Sequence, residues 1–134
     1  MLRSMAEPAL HGVQRILVVD DYATMRRILR NLLSQIGLNE VDEADDGASA
    51  LAKLRAYGYS LVISDWNMVP MSGLELLKEV RADRVLRGMR FLMVTAEGKT
   101  ENVAAAKAAG VNGYIVKPFT AETLRRKIEA VLAS

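Results

Sequence analysis

Four short runs of apolar residues recur along the chain, and none of them is interrupted by a charge. They cover residues 16–19, 61–63, 91–94 and 114–116. Continuous apolar runs of this length are typical of strands that are buried on both faces of a parallel sheet. A fifth candidate strand, 40–44, alternates apolar and charged positions, which favours an edge position.

Between the first two strand candidates the apolar positions follow the period of a helix. They recur at i, i+3, i+4, i+7, i+8 and i+11, which makes one stripe with three arginines outside it. The stripe contains Met25, Ile28, Leu29, Leu32, Leu33 and Ile36, and the arginines are Arg26, Arg27 and Arg30. Gly37 is predicted to end this helix, because glycine readily adopts the left-handed conformation of a helix C-terminus.

Four more helices are predicted, one after each later strand candidate. Their markers are Leu51 and Leu54 before Gly58, the capping-box pair Ser72 and Glu75 with Leu74, Leu77 and Val80, an alanine-rich segment from Val103 to Ala109 before Gly110, and Leu124, Ile128, Val131 and Leu132. Strand and helix thus alternate five times. Strict alternation predicts an α/β architecture with right-handed crossovers and helices on both faces of the sheet.

Length and composition fit one domain. The chain has 134 residues, of which 51% are apolar, and contains no cysteine. We expect a lead-in over residues 1–13 and a single domain over 14–134 with one core. The lack of cysteine excludes disulfides, thiolate metal sites and cysteine nucleophiles.

Charge and hydropathy narrow the expected partners and location. The net charge is +2, and the basic residues are spread over several segments. Nucleic-acid-binding surfaces usually carry a basic stripe with interleaved aromatics, so we expect no nucleic-acid binding. The N-terminus has no secretory apolar region, and no uncharged apolar run approaches the ~18 residues of a membrane span. A cytoplasmic protein without membrane contact is expected.

Polar side chains that could bind a metal or take part in a reaction follow the predicted strands. Asp20 and Asp21 follow the first, Asp65 the third, Thr95 the fourth and Lys117 the fifth. In open parallel sheets, functional crevices lie beyond the carboxyl ends of the strands. If the first and third strands are neighbours, three carboxylates converge and repel one another unless a cation joins them.

This set of residues suits phosphoryl chemistry assisted by Mg²⁺. Mg²⁺ prefers oxygen ligands, keeps several waters, and usually takes one or two carboxylates with phosphate oxygens. One carboxylate could then act as a nucleophile toward a phosphoryl group, with Lys117 as a second positive charge. The Thr95 hydroxyl could donate a hydrogen bond to an acquired phosphoryl oxygen.

Four motifs carry a family resemblance: Val-Val-Asp-Asp at 18–21, Ser-Asp-Trp-Asn-Met at 64–68, Met-Val-Thr-Ala at 93–96 and Val-Lys-Pro-Phe at 116–119. In this order and spacing they resemble the receiver domain of bacterial two-component response regulators, in particular its stand-alone chemotaxis members. The resemblance covers the chain after the lead-in. It implies a doubly wound, flavodoxin-like (βα)5 fold whose five parallel strands have the order 2-1-3-4-5.

The resemblance also implies roles for individual residues. Asp65 resembles the aspartate that accepts a phosphoryl group, and Lys117 the lysine that contacts that group. Asp20, Asp21, Asp65 and the backbone carbonyl of Asn67 resemble the ligands of Mg²⁺.

Thr95 and Tyr114 resemble a switch pair. In that scheme a phosphoryl oxygen draws in Thr95, and the Tyr114 ring turns into the vacated space. The surface of the fourth helix, fifth strand and fifth helix then changes its preferred partner. An ordinary core aromatic remains an alternative for Tyr114.

The implied partners are a histidine kinase, the flagellar motor switch and a phosphatase, with the protein itself a monomer. It would be a signalling domain and not an enzyme, apart from its own phosphorylation and dephosphorylation. One alternative is a phosphate sink or relay receiver in another kinase pathway. A second is a Mg²⁺-dependent aspartyl phosphohydrolase, but Asn67 occupies the position where those enzymes usually carry an acidic proton donor.

Some features depart from the family pattern or remain open. Relatives usually have proline where this chain has Val69, and its proline follows as Pro70, so the path of the loop over 68–72 is expected to differ. The basic run 125–127 is either a solvated helix face or a contact patch. Residues 98–100 resemble the end of a phosphate-binding loop, but the required first glycine would fall at Met93, which excludes that motif.

Overall fold

The computed structural model describes residues 15–96 and 100–133. The strands are β1 (Ile16–Val19), β2 (Val41–Ala44), β3 (Leu61–Asp65), β4 (Phe91–Thr95) and β5 (Gly113–Val116). The helices are α1 (Ala23–Gln35), α2 (Gly47–Ala56), α3 (Gly73–Ala82), α4 (Thr100–Ala108) and α5 (Ala121–Ala133). The alternation of five strands and five helices is confirmed. The predicted lead-in, 1–13, lies outside the described residues.

The five strands form one sheet in the order β2-β1-β3-β4-β5, with every neighbouring pair parallel. Both the implied strand order and the edge position of β2 are confirmed. Val19 pairs with Ser64, and Thr95 pairs with Val116. This register brings the carboxyl ends of β1, β3, β4 and β5 to one edge of the sheet.

The core lies in two layers, one on each face of the sheet. Side chains of α1 and α5 cover one face, and side chains of α2 and α3 cover the other. The apolar stripe of α1 is narrower than predicted. Leu29, Leu33 and Ile36 are buried, whereas Ile28 is 43% exposed. A helix on one face of a sheet buries only part of its circumference, and Ile28 lies at the margin of that part.

The predicted helix ends are confirmed. Gly37 and Gly110 have positive φ angles of 87° and 91°. Both halves of the capping box at the start of α3 are present: the Ser72 hydroxyl accepts from the Glu75 N–H, and the Glu75 carboxylate accepts from the Ser72 N–H. Within 15–96 and 100–133, no helix is both long and apolar enough to cross a membrane.

Candidate functional site

Three carboxylates meet at the carboxyl edge of the sheet. Asp20 follows β1 directly and Asp65 ends β3, and these strands are neighbours. One carboxylate oxygen from each of Asp20, Asp21 and Asp65 lies within 4.8 Å of the other two. The strand order thus produces the convergence that the sequence predicted.

Asp20 is a buried acid with one unbonded oxygen. The residue is 2% exposed, and its Oδ1 accepts a hydrogen bond of 2.9 Å from the Tyr22 N–H. Its Oδ2 is buried and has no hydrogen-bond partner among the described residues. Burial raises the pKa of the Asp20 carboxyl, the Tyr22 N–H opposes this rise, and the negative charge of Asp65 adds to it. Tyr22 is the N-cap residue of α1, so Asp20 accepts from the residue before the helix and not from one of the first N–H groups within it.

Asp65 faces a cation. The Lys117 Nζ lies 2.9 Å from the Asp65 Oδ1, while Asp65 as a residue is only 4% exposed. The same Oδ1 has no partner with hydrogen-bond geometry in the described part of the chain. The contact is therefore an ion pair without hydrogen-bond geometry.

The charges and donor atoms of the pocket fit a divalent cation. Three carboxylates against one ammonium leave two formal negative charges, which Mg²⁺ would balance. All the donors are hard oxygens, and buried oxygens of Asp20 and Asp65 lack hydrogen bonds from the described residues. Asp20, Asp21 and Asp65 would hold such an ion. The side chain of Asn67 is exposed, two residues beyond Asp65.

The ends of β4 and β5 complete the surroundings of Asp65. Thr95 ends β4 and is 2% exposed. The Lys117 N–H donates to the Thr95 carbonyl at 2.7 Å, which fixes the backbone of Lys117 beside β4. The Lys117–Pro118 and Val69–Pro70 peptide bonds are both cis.

Tyr114 lies on β5 beside the residue that follows Asp65. Its ring and the ring of Trp66 make an edge contact with centroids 6.5 Å apart. Both side chains are half-buried and pack on the core layer of α2 and α3. Trp66 therefore packs against the molecule instead of standing free in solvent.

Arg26 supports the pocket in a way that sequence reasoning missed. It lies outside the apolar stripe of α1, yet its side chain is only 18% exposed. Its NH1 donates to the Asp20 carbonyl at 2.8 Å, and its Nε donates to the Glu43 carboxylate at 2.7 Å. Arg26 thus joins the loop that carries Asp20 to strand β2. Helical periodicity alone could not reveal a contact that runs back across the loop.

Gly73 is the second residue that the sequence did not single out. A Cβ at this position would lie 2.2 Å from the Asp65 carbonyl oxygen and 2.9 Å from the Trp66 Cα. The Gly73 N–H also donates to the Trp66 carbonyl at 2.8 Å. The start of α3 can approach the backbone of Asp65 this closely only because residue 73 lacks a side chain.

The basic run of α5 is partly neutralised. Arg125 forms ion pairs with Glu122 and Glu129 on the same helix, and these raise the pKa of its guanidinium. Arg126 lies 3.9 Å from Glu122 and is exposed. These intrahelical pairs favour a solvated helix face over a basic contact patch.

Comparison with known proteins gives consistent matches over nearly the whole domain. Residues 16–129 match the family described as the response regulator receiver domain. The chemotaxis protein CheY-3 of Vibrio cholerae is 50% identical over 125 residues, which cover 93% of this chain and 96% of that protein.

Solved structures show the same architecture. The structure of Vibrio cholerae chemotaxis protein CheY4 superposes with a TM-score of 0.82 and 37% identity, covering 90% of this chain and 99% of that one. The response regulator TrrA of Thermotoga maritima, solved in complex with Mg²⁺ and BeF, superposes with a TM-score of 0.77 and 33% identity. The match covers 88% of this chain and 98% of that one.

Proposed function

The chain belongs to the response regulator receiver domain family, and from that premise we propose that Asp65 accepts a phosphoryl group from a histidine kinase. One observation carries the proposal: the buried Asp65 carboxylate lies between an acidic pair and the Lys117 ammonium, whose Nζ is 2.9 Å away. In such an arrangement a carboxylate oxygen can attack an incoming phosphorus atom while a cation lies beside it.

The transfer step conserves atoms and charge. An Asp65 oxygen attacks the phosphorus of a phosphohistidine, the P–O bond forms, and the P–N bond breaks with its electron pair passing to the imidazole nitrogen. Lys117 provides a fixed positive charge next to the developing phosphoryl oxygens. When bound, Mg²⁺ supplies further neutralisation of phosphoryl oxygen charge. Asp20 and Asp21 would hold it, together with Asp65 and the Asn67 backbone carbonyl.

The output of the domain is proposed to run through Thr95 and Tyr114. Thr95 is buried at the end of β4, next to the backbone of Lys117. A hydrogen bond from its hydroxyl to the new phosphoryl group would favour one of two arrangements of β4, β5 and Tyr114. Tyr114 contacts Trp66 and also lines a cleft with Lys107 of α4 and Lys127 of α5, so a change there would reach the surface of α4, β5 and α5.

By similarity to chemotaxis proteins of the family, we propose that this surface docks on the flagellar motor switch in the cytoplasm when Asp65 is phosphorylated. The test is binding of a motor-switch peptide to the phosphorylated and unphosphorylated protein, followed by fluorescence anisotropy. Tighter binding of the phosphorylated form supports a motor effector. Equal binding of both forms contradicts it and favours a phosphate sink or relay receiver.

An activity assay on the same protein distinguishes a signalling domain from a phosphohydrolase. A receiver domain is expected to lose only its own phosphoryl group, because Asn67 carries no acidic proton for a leaving alcohol. Multiple turnovers of a free phosphomonoester would instead indicate a phosphohydrolase.

A further inference from the structure

A second surface lies at the amino edge of the sheet, opposite the acidic pocket. A cleft of about 330 Å³ opens there, and its walls include Tyr59, Val85, Met89, Arg90 and Leu132. Tyr59 and Arg90 precede β3 and β4, and the five residues of each strand separate the cleft from Asp65 by roughly 13–17 Å. We call Arg84, Arg87 and the five wall residues just named the basic edge.

The chain between α3 and β4 is held in a fixed turn. The Asp83 carboxylate accepts from the Val85 N–H at 2.8 Å and from the Leu86 N–H at 3.2 Å. The Arg81 guanidinium donates to the Arg87 carbonyl at 3.0 Å and to the Met89 carbonyl at 2.7 Å. This part of the surface is therefore shaped by the protein's own hydrogen bonds before any partner arrives.

The turn directs an apolar side chain into solvent. Val85 is 88% exposed, while the adjacent Leu86 is 3% exposed and anchors the turn in the core. A single exposed valine is ordinary. Here it lines the same cleft as Met89 and Leu132, both half-buried, so three apolar side chains lie among polar wall groups in a cleft of preformed shape.

The charge of the basic edge is not balanced from within. Among the described residues, no carboxylate forms an ion pair with Arg84, Arg87 or Arg90. The neighbouring acids already face other arginines: Asp42 lies 3.9 Å from Arg15, and Asp83 lies 3.1 Å from Arg55.

Arg90 has unused hydrogen-bonding capacity. Its Nε is buried and has no partner in the described part of the chain. Its NH2 reaches only the Leu132 carbonyl, at the long distance of 3.4 Å. The buried Nε is out of reach of a partner, but Arg90 lines the cleft, where the terminal N–H groups of its guanidinium are suited to bind a carboxylate.

We propose that the basic edge docks an acidic segment of a partner protein. An apolar side chain of the segment enters the cleft beside Val85 and Leu132, and flanking carboxylates pair with Arg84, Arg87 and Arg90. The side chains of Val85, Met89 and Leu132 favour a peptide over a nucleic-acid backbone, which would use only the arginines. Because none of these residues belongs to the acidic pocket, this docking does not require phosphorylation of Asp65.

The test is an NMR titration of the full chain with a short synthetic peptide that alternates Glu or Asp with Leu or Phe. We expect amide shifts at 84–90 and at Leu132, with the same affinity in the Asp65→Asn protein. Replacing the three arginines by Arg84→Gln, Arg87→Gln and Arg90→Gln should weaken binding about tenfold or more. The matched control, Arg125→Gln with Arg126→Gln, should bind like the wild type.

A second variant keeps the test decisive if the triple variant does not fold. Val85→Ser changes a side chain that is 88% exposed, so it should fold normally and bind the peptide more weakly. Shifts that map outside the basic edge, or full binding by Val85→Ser and the triple variant, overturn the proposal. So does tighter binding of duplex DNA or phosphatidylglycerol vesicles than of the peptide. If the docking proposal fails in this way, the proposed phosphorylation of Asp65 is not contradicted, because the two rest on different residues.

Discussion

The indole ring of Trp66 meets the phenol ring of Tyr114 edge to face, with an angle of 76° between the ring planes. Trp66 directly follows Asp65, and Tyr114 lies on the last strand of the sheet. The contact therefore links the backbone of the proposed phosphoryl acceptor to the strand whose surface is proposed to dock partners.

Tyr114→Ala removes this ring contact and should uncouple phosphorylation from docking. We expect an unchanged rate of phosphorylation, weaker binding of the motor-switch peptide, and a loss in free energy of unfolding that includes about 0.5–1.5 kcal/mol from the aromatic pair. Tyr114→Phe, the matched control, should keep that stability. Urea unfolding and anisotropy measure the two effects. Unchanged docking by Tyr114→Ala would make Tyr114 an ordinary core aromatic.

Lys117→Met should slow phosphorylation without unfolding the protein. The variant removes the positive charge that lies 2.9 Å from the Asp65 carboxylate, so the developing charge on the phosphoryl oxygens is less stabilised. We expect a decrease of about tenfold to a hundredfold in the rate of adduct formation with a small phosphodonor. Lys78→Met, on the exposed face of α3, is the control. Equal rates in both variants would contradict a role for Lys117.

Gly73→Ala should destabilise the protein and disturb Asp65. The added Cβ would lie 2.2 Å from the Asp65 carbonyl, so the start of α3 or the end of β3 must move. We expect a loss of about 1–3 kcal/mol in the free energy of unfolding, together with slower phosphorylation. Gly58→Ala is the matched control, because a Cβ there meets nothing within 4 Å. Identical urea midpoints for the two variants would show that the close approach is not needed.

The raised pKa of Asp20 predicts a pH-dependent cost of its charge. The pKa of Asp20 is higher in the folded than in the unfolded state. Between these two pKa values the native state binds more protons, so the contribution of Asp20 to stability falls as the pH rises through this range. Without divalent cations, Asp20→Asn should therefore stabilise the protein at neutral pH. This gain should disappear when the pH falls below the unfolded pKa.

Added Mg²⁺ should reverse the comparison at neutral pH. Ligand binding stabilises the wild type by about 2.7 kcal/mol at a concentration of 100 times Kd, and the variant should lack most of this gain. Urea unfolding with chelator and with Mg²⁺ measures both effects. If Asp20→Asn is less stable than the wild type in chelator at neutral pH, the buried charge of Asp20 does not destabilise the fold, and this prediction is wrong.

Local sequence signals were sufficient for the elements and for the edge where the pocket forms. The buried strands showed as continuous apolar runs, because both of their faces are covered. Gly37 and Gly110 ended helices as predicted, since each adopts a positive φ angle. The motif at 18–21 and Asp65 indicated the acidic pocket because they follow neighbouring strands.

Contacts between distant segments could not be predicted in this way. Arg26 lies outside the apolar stripe, and only the folded loop shows that it reaches the Asp20 carbonyl. The need for glycine at position 73 depends on the distance between α3 and β3, which no local pattern encodes. Likewise, the partial exposure of Ile28 reflects how α1 lies on the sheet, whereas its periodicity indicated a buried position.

The most direct test is to locate the phosphoryl group itself. The protein is incubated with a small phosphodonor and Mg²⁺, the acyl phosphate is reduced with borohydride, and tandem mass spectrometry identifies the modified residue. We predict one modification, at Asp65, that is absent without Mg²⁺ and in Asp65→Asn but present in Asp45→Asn, which changes an exposed aspartate. Modification at another residue, or none under conditions that modify a known receiver domain, would contradict the account.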